Sequence, residues 1–251
     1  MDTQQQKSLK VLLIGDSCQD VFIYGEVKRL NPEAPVPILN HTRTETRQGM
    51  AWNVYNNLKS FGLEVYMMTN QEKIIKTRYI DEKSNQQILR VDDEVRCKPM
   101  EYLIPDENYD AIVISDYDKG FVTSNILFDI THNSKCPVFI DSKKTILPTH
   151  NCYIKINDLE HKKLKNDYQN LIVTHGSAGA EYDGILYPGE KVNVYDVVGA
   201  GDTFLAALTY GFLKYGTIQK AIPLANRAAA IAVSHSGTYV LTEKDVQDLC
   251  N

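Results

Sequence analysis

Short apolar runs that stop on a glycine or a charged residue recur along this chain. Leu9 to Ile14 ends at Gly15-Asp16, Tyr109 to Ser115 at Asp116, Pro137 to Ile140 at Asp141, Cys152 to Ile156 at Asn157, and Leu171 to Thr174 at His175-Gly176. Runs of this length without alternation predict strands buried on both faces of a mostly parallel sheet, and their charged ends lie where open α/β sheets bind ligands. Glu64 to Met68 adds another strand. Helices are predicted from Gly49 to Phe61 with Gly62 as the stop, from Thr203 to Tyr215, from Ala221 to Ser234, and as a final turn or two over Thr242 to Leu249. Two hairpins stand out. Lys73 to Asp92 alternates around a polar turn at Glu82 to Asn85, and Glu181 to Pro188 folds back at Asp183-Gly184. Between Tyr24 and Ile38, Pro32, Pro35 and Pro37 forbid a helix and predict an extended edge segment.

The stretch Asp196-Val197-Val198-Gly199-Ala200-Gly201-Asp202-Thr203-Phe204 joins a strand to a helix that is apolar almost all the way round. A buried helix whose first turn carries glycines offers unpaired N–H groups and the positive end of its dipole to an anion. Asp202, held in the same turn, is placed to accept a proton from a hydroxyl. A phosphate cradle beside a base points to phosphoryl transfer. The local alternative is a tight strand-to-helix turn with an acidic helix start.

Composition narrows the class without naming it. The 251 residues, 43% hydrophobic and 24% charged, suffice for one core, so a single domain over residues 1–251 is expected. A net charge of −5 with no basic run argues against nucleic acid or an anionic membrane as partner. The five cysteines are scattered without Cys-x-x-Cys spacing, and Met1 to Lys7 is polar, which together predict a reduced, cytoplasmic protein with no leader. Neither a Walker-type phosphate loop nor the protein-kinase signatures occur in the sequence.

Asp-x-x-Gly-Ala-Gly-Asp-Thr-Phe resembles the C-terminal signature of the ribokinase-like (PfkB) carbohydrate kinases, and other matches run in family order from residue 11 to about residue 240. The resemblance implies a three-layer α/β fold with a mostly parallel central sheet and a small β lid, here residues 36–40 and 74–92. It further implies ATP and magnesium, with Asp202 as catalytic base and the amides of Gly199, Ala200 and Gly201 as anion hole. Gly15 to Asp20 is similar to the first sugar-kinase signature, in which Asp20 would hold substrate hydroxyls. Tyr24-Gly25 and Arg29-Leu30-Asn31-Pro32-Glu33-Ala34-Pro35-Val36-Pro37 resemble the heptose 7-phosphate kinases, the kinase half of ADP-heptose synthesis enzymes.

Carried over on matching residues, Gly49 and Asn53 would bind sugar, although Met50 stands at the family's second glycine and Trp52 at a small position. Lys76, Arg78 and Arg90 of the lid hairpin would reach a substrate phosphate, and a solvated strand edge is the alternative. Asp116 and Lys119, from Ser115-Asp116-Tyr117-x-Lys119-Gly120, would also face the substrate. Lys143, Thr174, Gly176, Gly179 and Asn226 would line the nucleotide site. Asn157 and Glu160 of the Asn-x-x-Glu motif would act near the phosphates and magnesium through water, and the alternative is that Asp158 and Glu160 are simple acids of a helix's first turn. The helix and strand the family places before its lid are missing. The implied reaction is phosphorylation of the anomeric hydroxyl of a heptose 7-phosphate, with a homodimer joined through the lids. A sugar or nucleoside kinase of other specificity, and a catalytically degenerate binder of sugar phosphate or nucleotide, are the alternatives.

Overall fold

The computed structural model describes residues 8–101, 108–235 and 237–250, so Met1 to Lys7 lies outside it. β1 (Lys10–Gly15) turns at Asp16 into two long antiparallel strands, β2 (Ser17–Leu30) and β3 (Pro37–Met50). α1 (Ala51–Ser60) and β4 (Glu64–Thr69) follow, then the hairpin β5 (Ile75–Asp81) and β6 (Gln86–Asp93). The order continues β7 (Ala111–Asp116), α2 (Ser124–Asn133), β8 (Val138–Ser142), β9 (Cys152–Asn157), α3 (Asp158–His161) and β10 (Leu171–Thr174). β11 (Gly179–Tyr182), β12 (Ile185–Pro188), α4 (Ala200–Tyr215), α5 (Ile218–Val233) and α6 (Glu243–Cys250) complete it.

Eight strands form the central sheet in the order β12-β11-β10-β9-β8-β7-β1-β4, parallel from β10 through β4, with the β11–β12 hairpin as its antiparallel edge. Alternate residues of a strand point to opposite faces, and β1 shows the consequence. Val11 and Leu13 enter a core shared with α1, α4 and α5, whereas Leu12 and Ile14 enter a second core with Leu127 and Ile130 of α2. Both faces of the sheet are thereby covered, as its unbroken apolar runs require. The run-and-stop pattern also aligns the carboxyl ends of β1, β7, β8, β9 and β10 on one edge.

The lid is larger than the sequence pattern implies. Beyond residues 36–40 and 74–92 it takes in all of β2 and β3, giving a four-stranded sheet ordered β3-β2-β5-β6. Residues 17–20, for which the sequence pattern predicts no strand, begin a 14-residue strand that β3 pairs along its length and that β5 joins on the other side, starting from Gln19 N to Ile74 O at 2.8 Å. The prolines keep their predicted effect: Pro32 and Pro35 fall between β2 and β3, and Pro37 is the first residue of β3. α2 is the helix the apolar pattern does not single out. Its ten residues bury only Ile126, Leu127, Ile130 and Thr131, and its start depends on Thr123, whose hydroxyl accepts from Ile126 N at 3.3 Å. The shortened passage from β4 to β5 is closed by Asn70, whose Oδ1 accepts from Ser17 N at 2.7 Å.

Candidate active site

α4 starts where it does because Gly199 turns the chain at φ 80°. A Cβ at this position would lie 2.6 Å from Asn53 Nδ2, so the residue must be glycine for conformation and for space. Gly201, the second residue of α4, leaves room of another kind: a Cβ there would stand 2.7 Å from Lys155 Nζ. Of the amides at the helix start, Ala200 N reaches Val197 O at a long 3.4 Å, and Asp202 follows with its side chain buried.

Two donors reach the Asp202 carboxylate. Asn53 Nδ2 donates to Oδ2 at 3.1 Å, and the Tyr117 hydroxyl donates to Oδ1 at 2.8 Å. The Asn53 amide is itself oriented, since Asn57 Nδ2, one helical turn on, donates to Asn53 O at 2.9 Å and to Asn53 Oδ1 at 3.2 Å. Burial pushes the Asp202 carboxyl up to about 6, opposed by the Asn53 hydrogen bond, raised further by Asp141, and opposed again by Tyr117 and Lys155. A buried carboxylate that still ionises near neutrality has the properties of a general base.

Asp202 sits at the end of a polar cavity of about 400 Å³ lined by Tyr117, Asp141, Lys143, Lys155, Asn157 and Thr174 among others. Across Thr174, Gly176 and Gly201 this cavity adjoins an apolar one of about 330 Å³, whose walls include Val192, Val197, Ala229 and Ala230. Gly179 and Asn226 lie in the apolar cavity, where Asn226 Nδ2 donates to Tyr187 O at 2.9 Å and Pro188 O at 3.2 Å. An oily slot opening onto a polar chamber that carries Lys143 and Lys155 is the shape a nucleotide needs: base in one, phosphates in the other.

The remaining expected residues divide into two sets. Beneath the lid, Asp20 forms a buried ion pair with Arg78, and a Cβ at Gly49 would stand 2.0 Å from Asp20 Oδ2. Lys76 Nζ from the lid lies 5.6 Å from the Tyr117 ring centroid, and Lys143 Nζ 5.4 Å from it. Asn157 and Glu160 make the reciprocal helix cap of α3, and Glu160 also pairs with Lys143. Asp116, Lys119 and Arg90 line neither cavity. Asp116 accepts from Ser142 Oγ and Lys144 Nζ, each at 2.6 Å, Lys119 pairs with Glu94 at 2.6 Å, and exposed Arg90 pairs with Asp92 at 2.7 Å. The sequence pattern also passes over Lys155, nearly buried and 2.6 Å from Asp141 Oδ2. Its signal is a lone lysine inside the apolar run Cys-Tyr-Ile-Lys-Ile-Asn.

The model of the pfkB family carbohydrate kinases matches residues 154–245, which run from within β9 into α6 and include the turn from Gly199 to Asp202. The bifunctional protein HldE of a Nitratiruptor species is 32% identical over 298 residues, covering 95% of this chain and 64% of that protein. Over residues 154–245 the chain is similar to the pfkB carbohydrate kinases, and along nearly its whole length to HldE. HldE of Campylobacter jejuni is 30% identical over 301 residues, 96% of this chain and 65% of that one. The chain thus spans just under two thirds of the length of these relatives. Both alignments are longer than the 251 residues here, so the relatives carry positions with no counterpart in this chain. Among solved structures, ribokinase from Thermotoga maritima superposes with a TM-score of 0.73 at 14% identity, covering 96% of this chain and 99% of that one. Arabidopsis thaliana ribokinase, complexed with ribose and ATP, gives 0.70 at 14% identity, covering 96% and 98%. The fold is ribokinase-like.

Proposed function

We propose that this protein is an ATP-dependent kinase that phosphorylates the anomeric hydroxyl of a heptose 7-phosphate, D-glycero-D-manno-heptose 7-phosphate giving the 1,7-bisphosphate. The observation that carries the kinase chemistry is the position of Asp202, buried at the amide-bearing start of α4 where a polar cavity meets an apolar one. The sugar assignment is supported by the Tyr24 to Pro37 run, which lies in β2, the following turn and the start of β3.

In this reading the adenine occupies the apolar cavity, beside Asn226 and the Thr174 to Gly179 turn, and the phosphates extend past Gly201 towards Lys143 and Lys155. Asp202 takes the proton of the attacking hydroxyl as its oxygen bonds to the γ-phosphorus. The bond to the β-bridging oxygen breaks, and ADP leaves with that electron pair. The amides of Gly199, Ala200 and Gly201 hold the charge that develops on the transferred group, and Lys155 and Lys143 offset it from the opposite wall. Among the described residues no three His, Cys, Asp or Glu side chains converge as a metal cage. The donors present suit a magnesium ion that arrives on the phosphates and keeps its waters, with Asn157, Asp158 and Glu160 contacting those waters. Bound there, the ion would neutralise phosphate charge. No helix among the described residues is long and apolar enough to cross a membrane, and the reading is of a cytoplasmic kinase domain that dimerises through its lids.

A second reading, a sugar kinase of other specificity, is favoured by one observation. Met50 fills the family's second glycine position with a buried side chain at the mouth of α1. Turnover of D-glycero-D-manno-heptose 7-phosphate with MgATP, beside a thermal-shift screen of other sugar phosphates, separates the two. Asp202→Asn tests the chemistry in either case: turnover should fall on the order of 10²-fold to 10⁴-fold with ATP affinity nearly unchanged. A variant within a few-fold of the parent removes Asp202 from the role of base.

A further inference from the structure

Both groups that hold Asp202 are themselves held by one residue. Asp16, the first residue beyond β1 and fully buried, accepts from Ala51 N through its backbone oxygen at 3.0 Å, which fixes the start of the helix carrying Asn53. Its side chain accepts from Tyr117 N at 2.8 Å and Lys119 N at 3.2 Å, which fixes the turn carrying Tyr117. The Tyr117 ring then lies between Lys76 of the lid and Lys143 of the phosphate chamber, and its hydroxyl ends on Asp202 Oδ1.

We propose that Tyr117, anchored by Asp16, is a positioning residue of this kinase: its hydroxyl aims the Asp202 carboxylate and keeps it ionised in a buried site. The proposal rests on the reading of Asp202 as base. Chemistry favours a donor here. Burial, first, and then the neighbouring Asp202 push the Tyr117 phenol well above its ordinary value, so the proton stays on the tyrosine and the hydrogen bond runs to the carboxylate. The other charged or titratable groups facing Asp202 are Asp141 and Lys155 on β8 and β9, Lys143 just beyond β8, and Cys18 on β2. Among the described residues only Tyr117 donates to Oδ1.

Unfolding free energy against pH reads the Asp202 proton without any substrate. A carboxyl raised from 3.8 to about 6 binds its proton more tightly in the folded state. Stability contributed by that proton is full below the unfolded value, falls as pH rises between the two values, and levels off above the folded one. Subtracting Asp202→Asn from the parent isolates this change. In the Tyr117→Phe background, with its own Asp202→Asn partner, the levelling point should move up by about one pH unit, the size of one charge-assisted hydrogen bond. In kinase assays with D-glycero-D-manno-heptose 7-phosphate and MgATP, kcat of Tyr117→Phe should drop near pH 6 and recover by about pH 8, with KM for ATP unchanged. Two difference curves that level at the same pH overturn the proposal, whatever the activity. An active Asp202→Asn variant overturns the base reading instead, and the stability cycle still decides whether Tyr117 sets the Asp202 proton.

Discussion

Asn157 and Glu160 hold one another: Asn157 Oδ1 accepts from Glu160 N at 3.0 Å, and Glu160 Oε2 accepts from Asn157 N at 2.9 Å. The two residues expected near magnesium thus also build the start of α3, with Glu160 Oε1 turned to Lys143. Glutamine keeps an oxygen for the cap and loses the charge. Glu160→Gln should therefore change stability by about 1 kcal/mol or less, since the lost ion pair is partly exposed. Turnover should fall, with the magnesium dependence displaced to higher concentration. A magnesium titration that superimposes on the parent leaves Glu160 as a capping residue alone.

The pair Lys155–Asp141 gives a second test. Both side chains are nearly buried, so replacing Lys155 by methionine leaves the Asp141 charge without compensation. Breaking such a pair from one side costs about 3–5 kcal/mol, and denaturant unfolding of Lys155→Met should read a loss in that range. Lys155→Met with Asp141→Asn should recover at least half of it, because no lone charge remains. Equal stability of the single and double variants would mean that the ammonium offsets no buried charge.

Met50 carries a backbone conformation, φ 57° and ψ −126°, that a side chain disfavours. Such strain amounts to about 1–3 kcal/mol, which burial of the methionine among Cys18, Ile74 and their neighbours offsets. Met50→Ala loses the burial and keeps the strain, whereas Met50→Gly loses both. The glycine variant should be the more stable by about 1 kcal/mol, against the usual order of these residues. Thermal unfolding of the two proteins side by side checks this, and an alanine variant equal to or above the glycine one refutes it.

The lid leaves apolar groups in water. Val36 is 48% exposed, Leu89 53% and Val91 46%, on or beside the two edge strands β3 and β6. A second copy docked lid to lid would cover them. Light scattering at low micromolar concentration should give twice the 28.4 kDa chain mass, and Leu89→Lys with Val91→Lys should return it to one chain. A parent that already runs as one chain excludes the dimer.

The strands β1, β7, β8, β9 and β10 and the helix α4 were legible in the sequence because they are largely buried, and burial writes itself as unbroken apolar runs or an all-round apolar helix, whereas the β11–β12 hairpin was read from its Asp183-Gly184 turn. The turn before Asp202 was legible for a related reason: Gly199 and Gly201 are required by backbone and close approach, so the motif is local. Asp202 could be named as a candidate from that turn, and Asn53, Asn157 and Thr174 only through the family resemblance. The extent of the lid could not. β2 is a strand because β3 pairs along its length and β5, more than fifty residues on, pairs along its first half, and nothing within residues 17–30 encodes either pairing. Lys155, Asp141 and Tyr117 likewise became site residues only when parallel strands set their ends side by side, bringing together groups whose sequence separation hides them. Whether Asp116, Lys119 and Arg90 meet a ligand or a neighbouring charge was also decided by which partners the fold delivered. Sequence determined which residues are buried and where the chain turns. Tertiary structure decided which polar groups face one another, because a hydrogen bond depends on distances that separate segments acquire only on packing.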